Sequence, residues 1–242
     1  MDVMGQSTPS TDETQPKEAR VPRSGRITIV LGALVAVLAI CVGVALYLVS
    51  YPPTVAAAAT VPGQATVTMQ TVPAFNQEPH PTWVSYMIKQ GNTWVHTTMF
   101  SVPAHSLVHF TVYQFDTGSP LRNPFMNQVS GTVGGTQSIN GQDVTNYNGN
   151  VGDGIGHSFA IPALNVSVVF PGISADAKNP CTTPAPCALT FDHNTITFTI
   201  RTGAPGTYVW QCFVPCALGF PLGFGGPMST LGYMNGFMKV VA

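Results

Sequence analysis

An uncharged apolar run fills residues 27–49, and Thr28 is its only clearly polar member. A helix rises about 1.5 Å per residue, so the 23 residues of this run suffice to cross a hydrocarbon core of about 30 Å. Ala57-Ala58-Ala59 offers small residues for a signal cleavage site. The apolar part of a signal peptide, however, is usually about 7–15 residues long, so the run reads as an uncleaved anchor. Arg20, Arg23 and Arg26 lie just before it, and no basic residue follows until Lys89. By the positive-inside rule, this asymmetry keeps the N-terminus in the cytoplasm and puts the chain beyond about residue 50 outside. The expectation is a single-pass protein of the cell membrane with its main domain extracytoplasmic.

Residues 1–26 carry Asp2, Asp12, Glu13, Lys17, Glu18, Arg20, Arg23 and Arg26 among Ser, Thr, Pro and Gln. With almost no large apolar residue, this segment cannot offset its ordering entropy and is expected to be a disordered cytoplasmic tail. Charged residues make up 8% of the whole chain, against roughly 25% in an average soluble protein. The net charge of −1 argues against a nucleic-acid partner, because such proteins need surplus Lys and Arg to neutralise phosphates. No G-x-S-x-G elbow, H-E-x-x-H helix, Walker A loop or dinucleotide fingerprint is present.

Residues 50–64 read as a linker. From 65 to 242 no long stretch carries helical periodicity. Short segments rich in β-branched and aromatic residues recur between Gly, Pro, Asn and Asp: 65–72, 94–101, 106–115, 156–161, 166–170, 194–201, 207–213 and 236–241. In 194–201, Ile196, Phe198 and Ile200 alternate with Thr195, Thr197 and Thr199, the pattern of a half-buried strand. Val108, Phe110, Val112 and Tyr113 give a partial alternation in 106–115. Many short strands with turn signals between them predict an all-β sandwich or barrel. Residues 117–154 form a long Gly-, Asn- and Gln-rich loop, and 171–188 form a second.

Of five cysteines, Cys41 lies in the apolar run and reads as filler. The other four form two close pairs on the side where disulfides persist. Cys181 and Cys187 bracket a Pro-rich loop with no histidine nearby, and a structural disulfide is expected there. Cys212 and Cys216 belong to GTYVWQCFVPC, with Met228, Met234 and Met238 downstream and His157 upstream. Thiolate, thioether and imidazole together suit copper. Cys212 would end the penultimate strand and Met234 would begin the last, so one end of a sandwich can close such a site. His80, His96, His105 and His109 read as polar-face residues, Asp116 and Asp153 as turn residues.

VPAHSLVHFTVYQFD (102–116), GHSFAIPAL (156–164) and GTYVWQCFVPC (206–216) resemble the cupredoxin domain of cytochrome c oxidase subunit II over most of residues 93–242. The resemblance implies a cupredoxin-like Greek-key β-sandwich preceded by a single transmembrane helix. It places His157 at the first histidine ligand of the binuclear copper centre, Cys212 and Cys216 at the bridging thiolates and Met234 at the methionine. An insertion puts Leu231 where the family has its second histidine, Val214 where it has a glutamate and Ala217 where it has a glycine. The ligand set expected is therefore His157, Cys212, Cys216 and Met234, with one copper rather than two. A binuclear centre with Met228 as the unusual ligand stays open. The function implied is electron transfer at the outer membrane face, beside a haem-containing oxidase subunit or cytochrome c. The alternatives are a metal-free structural or assembly subunit with a Cys212–Cys216 disulfide, and copper delivery to a partner.

Overall fold

The structure is a computed structural model. It describes residues 23–50 (side chains of 27–46 only), 54–76, 82–182, 184–216 and 226–242. Residues 1–22 of the expected tail lie outside the described residues, as do His80, Ala217 and most of the apolar GFPLGFGGPM segment. Two compact units divide the chain at Pro52 and Pro53.

The first unit contains a helix, α1 (Arg23–Ser50). Residues 23–26, expected to belong to the disordered tail, are helical. Within α1, Ile27–Leu46 is long and apolar enough to cross a membrane.

The second unit is the expected all-β sandwich. Its strands in chain order are β1 (Val55–Ala57), β2 (Ala59–Val61), β3 (Gln64–Phe75), β4 (Trp83–Gln90), β5 (Thr93–Val95), β6 (Met99–Pro103) and β7 (Leu107–Gln114). There follow β8 (Gln137–Ile139), β9 (Gln142–Val144), β10 (Ile155–Ile161), β11 (Val166–Pro171), β12 (Asn194–Arg201), β13 (Gly206–Gln211) and β14 (Asn235–Val241). One sheet runs β1-β6-β14-β13-β10-β11. The other runs β5-β4-β3-β7-β12-β8-β9, with β2 paired to β3. The β1–β6, β6–β14 and β3–β7 pairs are parallel and the rest antiparallel.

The Ile/Thr alternation of β12 does what its period predicts. Ile196, Phe198 and Ile200 face the core and pair in register with Val112, Phe110 and Val108 of β7. Phe110 and Phe198 stack at 4.7 Å between ring centres, and Phe159 of the opposite sheet lies 5.3 Å from Phe110. The core therefore joins both sheets.

Four expectations need correction. The linker at 50–64 contains β1 and β2, and Ala56 of β1 is fully buried. Residues 94–101 are not one strand: β5 and β6 sit in different sheets, with buried Thr97 and Thr98 at the crossing. β4 is not among the expected strands: its interior is buried on successive residues, so no alternation marks it. The loop 117–154 contains a β8–β9 hairpin. Its turn is Asn140-Gly141, both at positive φ, the pair that a two-residue hairpin favours.

The β11 edge is also covered. Ser130 exchanges backbone hydrogen bonds with Ser167. Gln137, from β8 of the other sheet, uses its side-chain amide like a strand backbone: Nε2 donates to Val169 O (2.5 Å) and Oε1 accepts from Val169 N–H (2.9 Å). The Cys181–Cys187 disulfide is formed and packs against Val72, Met87 and Phe115. The Cys187 N–H donates to Gln70 Oε1 at 2.8 Å, tying this loop to β3.

Candidate metal centre

β10 lies between β13 and β11, and all seven of its residues are buried. His157 shares one strand face with Phe159 and Ile161 and is 1% exposed. Cys212 follows the last residue of β13, and Met234 precedes the first residue of β14. The Cys212 N–H donates to Met234 O at 2.9 Å, so the hairpin closes beside the first sulfur. Cys216 lies four residues on, across a turn through Val214 and Pro215.

These elements bring three predicted residues together. The ligand atoms of His157, Cys212 and Cys216 all lie within 4.8 Å of one another, and all three residues are buried. Nδ1 of His157 is 2.9 Å from Cys216 Sγ, and the two sulfurs are 3.3 Å apart. A disulfide would hold them at about 2.05 Å. Both cysteines are free, so the Cys212–Cys216 bond of the metal-free alternative is not formed. Met234 is fully buried beside the cluster and meets Cys212 through its backbone. Met238 is core filling within β14. Met228 packs part-buried against the core, and its carbonyl accepts from Asn235 Nδ2 at 3.1 Å. Leu231 is 45% exposed.

Several donors surround the sulfurs. Ser158 N–H points to Cys212 Sγ at 3.3 Å, and Ser158 Oγ lies 3.8 Å from it. Ser158 Oγ also accepts from Phe213 N–H at 2.8 Å. The carbonyl of Ser158 takes the hydroxyl proton of buried Tyr86 at 2.8 Å. Tyr86 packs edge-on to Trp210 at 4.9 Å, and its ring is 6.2 Å from that of His157. Trp210 is fully buried, with Nε1 donating to Thr98 O, and is a core residue.

The charge distribution follows from this geometry. Burial pushes the Cys212 thiol up. The hydrogen bond from Cys216, the nearby imidazole charge and the Ser158 N–H outweigh it and hold Cys212 well below the usual thiol range. Burial pushes His157 down, but its hydrogen bond to Asp116 and the nearby charges of Cys212 and Asp116 raise it to about 9. Cys216 is pushed far up, first by its hydrogen bond to Cys212, then by burial and by the charges of Cys212 and Asp116. Burial and the same two sulfurs raise Tyr86 well above the usual phenol range. The same contacts thus favour the thiolate at Cys212 and oppose it at Cys216. A thiolate beside an imidazole is a soft, preformed donor set of the kind that copper takes.

The sequence reads Asp116 as a turn residue. The structure places its Oδ2 3.2 Å from His157 Nε2, the only carboxylate–cation contact among the described residues. Forty-one positions separate the two, and no local pattern links them. His105 and His109 lie away from the cluster: His105 is in the turn before β7 at positive φ, and His109 bonds Thr199 Oγ1 at 2.9 Å. His96 stacks on Phe75 at 3.6 Å, its Nε2 2.9 Å from Ser85 Oγ.

No protein-family model matches the sequence, and no curated protein matches it either. Among solved structures, a copper protein, rusticyanin, is similar at 16% identity, over 74% of this chain and 78% of its own, with a TM-score of 0.31. Reduced rusticyanin studied by NMR is similar at 16% identity, over 74% and 77%, with a TM-score of 0.31. Rusticyanin from Thiobacillus ferrooxidans is similar at 14% identity, over 74% and 78%, with a TM-score of 0.30.

Proposed function

We propose that this chain is a membrane-anchored copper protein of the cupredoxin kind that carries single electrons at the outer face of a membrane. The observation that carries this reading is the buried group of His157, Cys212 and Cys216 at the strand ends of a two-sheet sandwich. His157, Cys212, Cys216 and Met234 would hold the ion. Bound copper would supply a one-electron couple, Cu(II)/Cu(I).

The protein's own residues fit that work. The two thiols and the imidazole are already gathered, so little rearrangement accompanies binding. Tyr86, Ser158 and Trp210 pack the site on one side and keep water from the sulfurs. The Ser158 N–H aimed at Cys212 Sγ stabilises negative charge on that sulfur. One ion is favoured over two, because the position of the family's second histidine is Leu231, which has no ligand atom to offer and is nearly half exposed to solvent. The Arg20, Arg23 and Arg26 cluster ahead of the apolar helix supports an outer location for the sandwich. By resemblance to oxidase subunit II, its electron partner would be a haem-containing oxidase subunit or cytochrome c.

The test is copper loading of the full chain in detergent micelles, with metal counted per chain, optical and EPR spectra recorded, and free thiols titrated before loading. One copper with intense thiolate-to-copper absorption is expected, and Cys212→Ser should abolish that absorption. Two coppers with a seven-line EPR pattern would make the centre binuclear. Absence of copper together with absence of reactive thiols would overturn the reading in favour of a metal-free structural subunit. Co-purification with haem subunits would support oxidase membership over a free shuttle.

A further inference from the structure

A histidine ligand has two ring nitrogens, and the partner of one decides what the other can do. In this site Nδ1 faces Cys216 Sγ at 2.9 Å, while Nε2 faces Asp116 Oδ2 at 3.2 Å. An ionised carboxylate only accepts hydrogen bonds, so Nε2 keeps its proton and Nδ1 is the nitrogen left for a metal. We propose that Asp116 is a positioning residue of the centre: its carboxylate fixes the His157 ring so that Nδ1 points at the two sulfurs. This inference rests on the copper reading for its consequence, but the ring orientation itself needs no metal.

The carboxylate is itself held in place. The Thr117 N–H donates to Oδ1 at 2.8 Å, leaving Oδ2 to the imidazole. The Asp116 N–H donates to Gln114 Oε1, and Asp116 O accepts from Gln114 Nε2, both at 3.2 Å. The Ile173 N–H donates to the same carbonyl at 3.0 Å. Gln114 is fully buried, and its Oε1 also takes the Thr71 hydroxyl.

Gly156 lets β10 lie against this support. A Cβ there would fall 2.2 Å from Gln114 Nε2 and 3.0 Å from Thr117 O. The residue before the ligand is therefore glycine for reasons of contact with the Asp116 loop.

Asp116 also marks the solvent side of the centre. Its side chain is 19% exposed against 2% for His157. Beside it opens a cleft of about 340 Å³, lined by Asp116, His157, Val214, Pro215 and Cys216 among others. A carboxylate there adds negative charge near the ion without occupying a ligand position. Loss of such an outer partner of a metal-bound histidine typically costs about 10–100-fold in metal affinity.

The experiment compares the full chain in detergent with Asp116→Asn and Asp116→Leu. Cu(I) affinity is read by competition with a chelator. The copper reduction potential is read by electrochemical titration. Nitrogen-15 histidine spectra of the metal-free and Cu(I) forms report which ring nitrogen carries the proton. Tryptophan fluorescence checks that each variant is folded.

Asparagine keeps an acceptor oxygen, so ring tautomer and affinity should stay close to wild type while the potential rises, because removing negative charge favours Cu(I). Leucine removes the acceptor, so the Nε2–H resonance should lose its hydrogen-bonded downfield shift and Cu(I) binding should weaken by about 10–100-fold. A leucine variant with a wild-type Nε2–H shift and wild-type affinity would overturn the proposal. So would an asparagine variant as weak as leucine, since charge and not orientation would then be the cause. A wild-type chain that binds no copper would sink the preceding reading, while the metal-free spectra would still decide the role of Asp116.

Discussion

Replacing Gln137 with leucine should destabilise the sandwich by about 3 kcal/mol. The side chain is 1% exposed and satisfies both the N–H and the carbonyl of Val169, itself 1% exposed, on the outward edge of β11. Leucine has nearly the same volume but no polar atoms. Two buried backbone groups would be left unpaired, each costing about 1–3 kcal/mol, and the apolar gain of leucine offsets only part of that. Domain stabilities are about 5–15 kcal/mol, so the loss is a large fraction of the total. With a urea slope of about 2 kcal/mol/M, the unfolding midpoint should fall by about 1.5 M.

The assay is equilibrium urea unfolding of residues 53–242, which form their own compact unit, followed by tryptophan fluorescence. Amide exchange at Val169 gives a local check and should speed up. A midpoint shift under about 0.3 M would refute the reasoning, because it would mean that water or another group satisfies Val169 as well as Gln137 does. The effect also bears on the candidate centre, since β11 pairs with β10 and sets Phe170 opposite His157.

Other outcomes follow from the same physical accounting. Phe198→Ala, which removes a ring stacked on Phe110 at an interplanar angle of 4°, should cost about 3–5 kcal/mol in the same assay, with no change in copper stoichiometry. Burial holds His96 at about 4 against an ordinary 6.5. As pH falls from about 6.5 to about 4, the unfolded chain takes up the proton first and stability drops, then levels off below 4. The ring is half-buried, so solvent screening trims the effect; His96→Asn should flatten that part of the stability–pH curve, and an unchanged slope would assign it to another group. The Cys181–Cys187 bond closes a loop with a sequence separation of 6. The double variant Cys181→Ala/Cys187→Ala should lose about 2 kcal/mol by the loop-entropy relation, measured as a lower unfolding midpoint.

Some features that depend on a run of neighbouring residues were legible in the sequence. The apolar length of 27–49 points to a helix long enough to cross a membrane, and such a helix is present over Ile27–Leu46. The strict Ile/Thr alternation of 194–201 made β12 a one-faced strand with its register implied. Two cysteines bracketing a Pro-rich loop could reach each other locally. Cys212 and Met234 were placed at facing strand ends because a hairpin joins consecutive strands.

Tertiary structure decided the rest, because those features depend on which distant segments meet. The single stretch 94–101 was divided between two sheets by what each half could pair with. The full burial of β10 arose from cover on both faces, which hides any period. The partnership of Gln137 with Val169 spans 32 residues, and that of Asp116 with His157 spans 41. A turn aspartate becomes the carboxylate of a buried site only when β10 is laid beside the end of β7. Hydrogen bonds act over about 3 Å in space, and the sequence alone does not say which side chains the fold will bring within that distance.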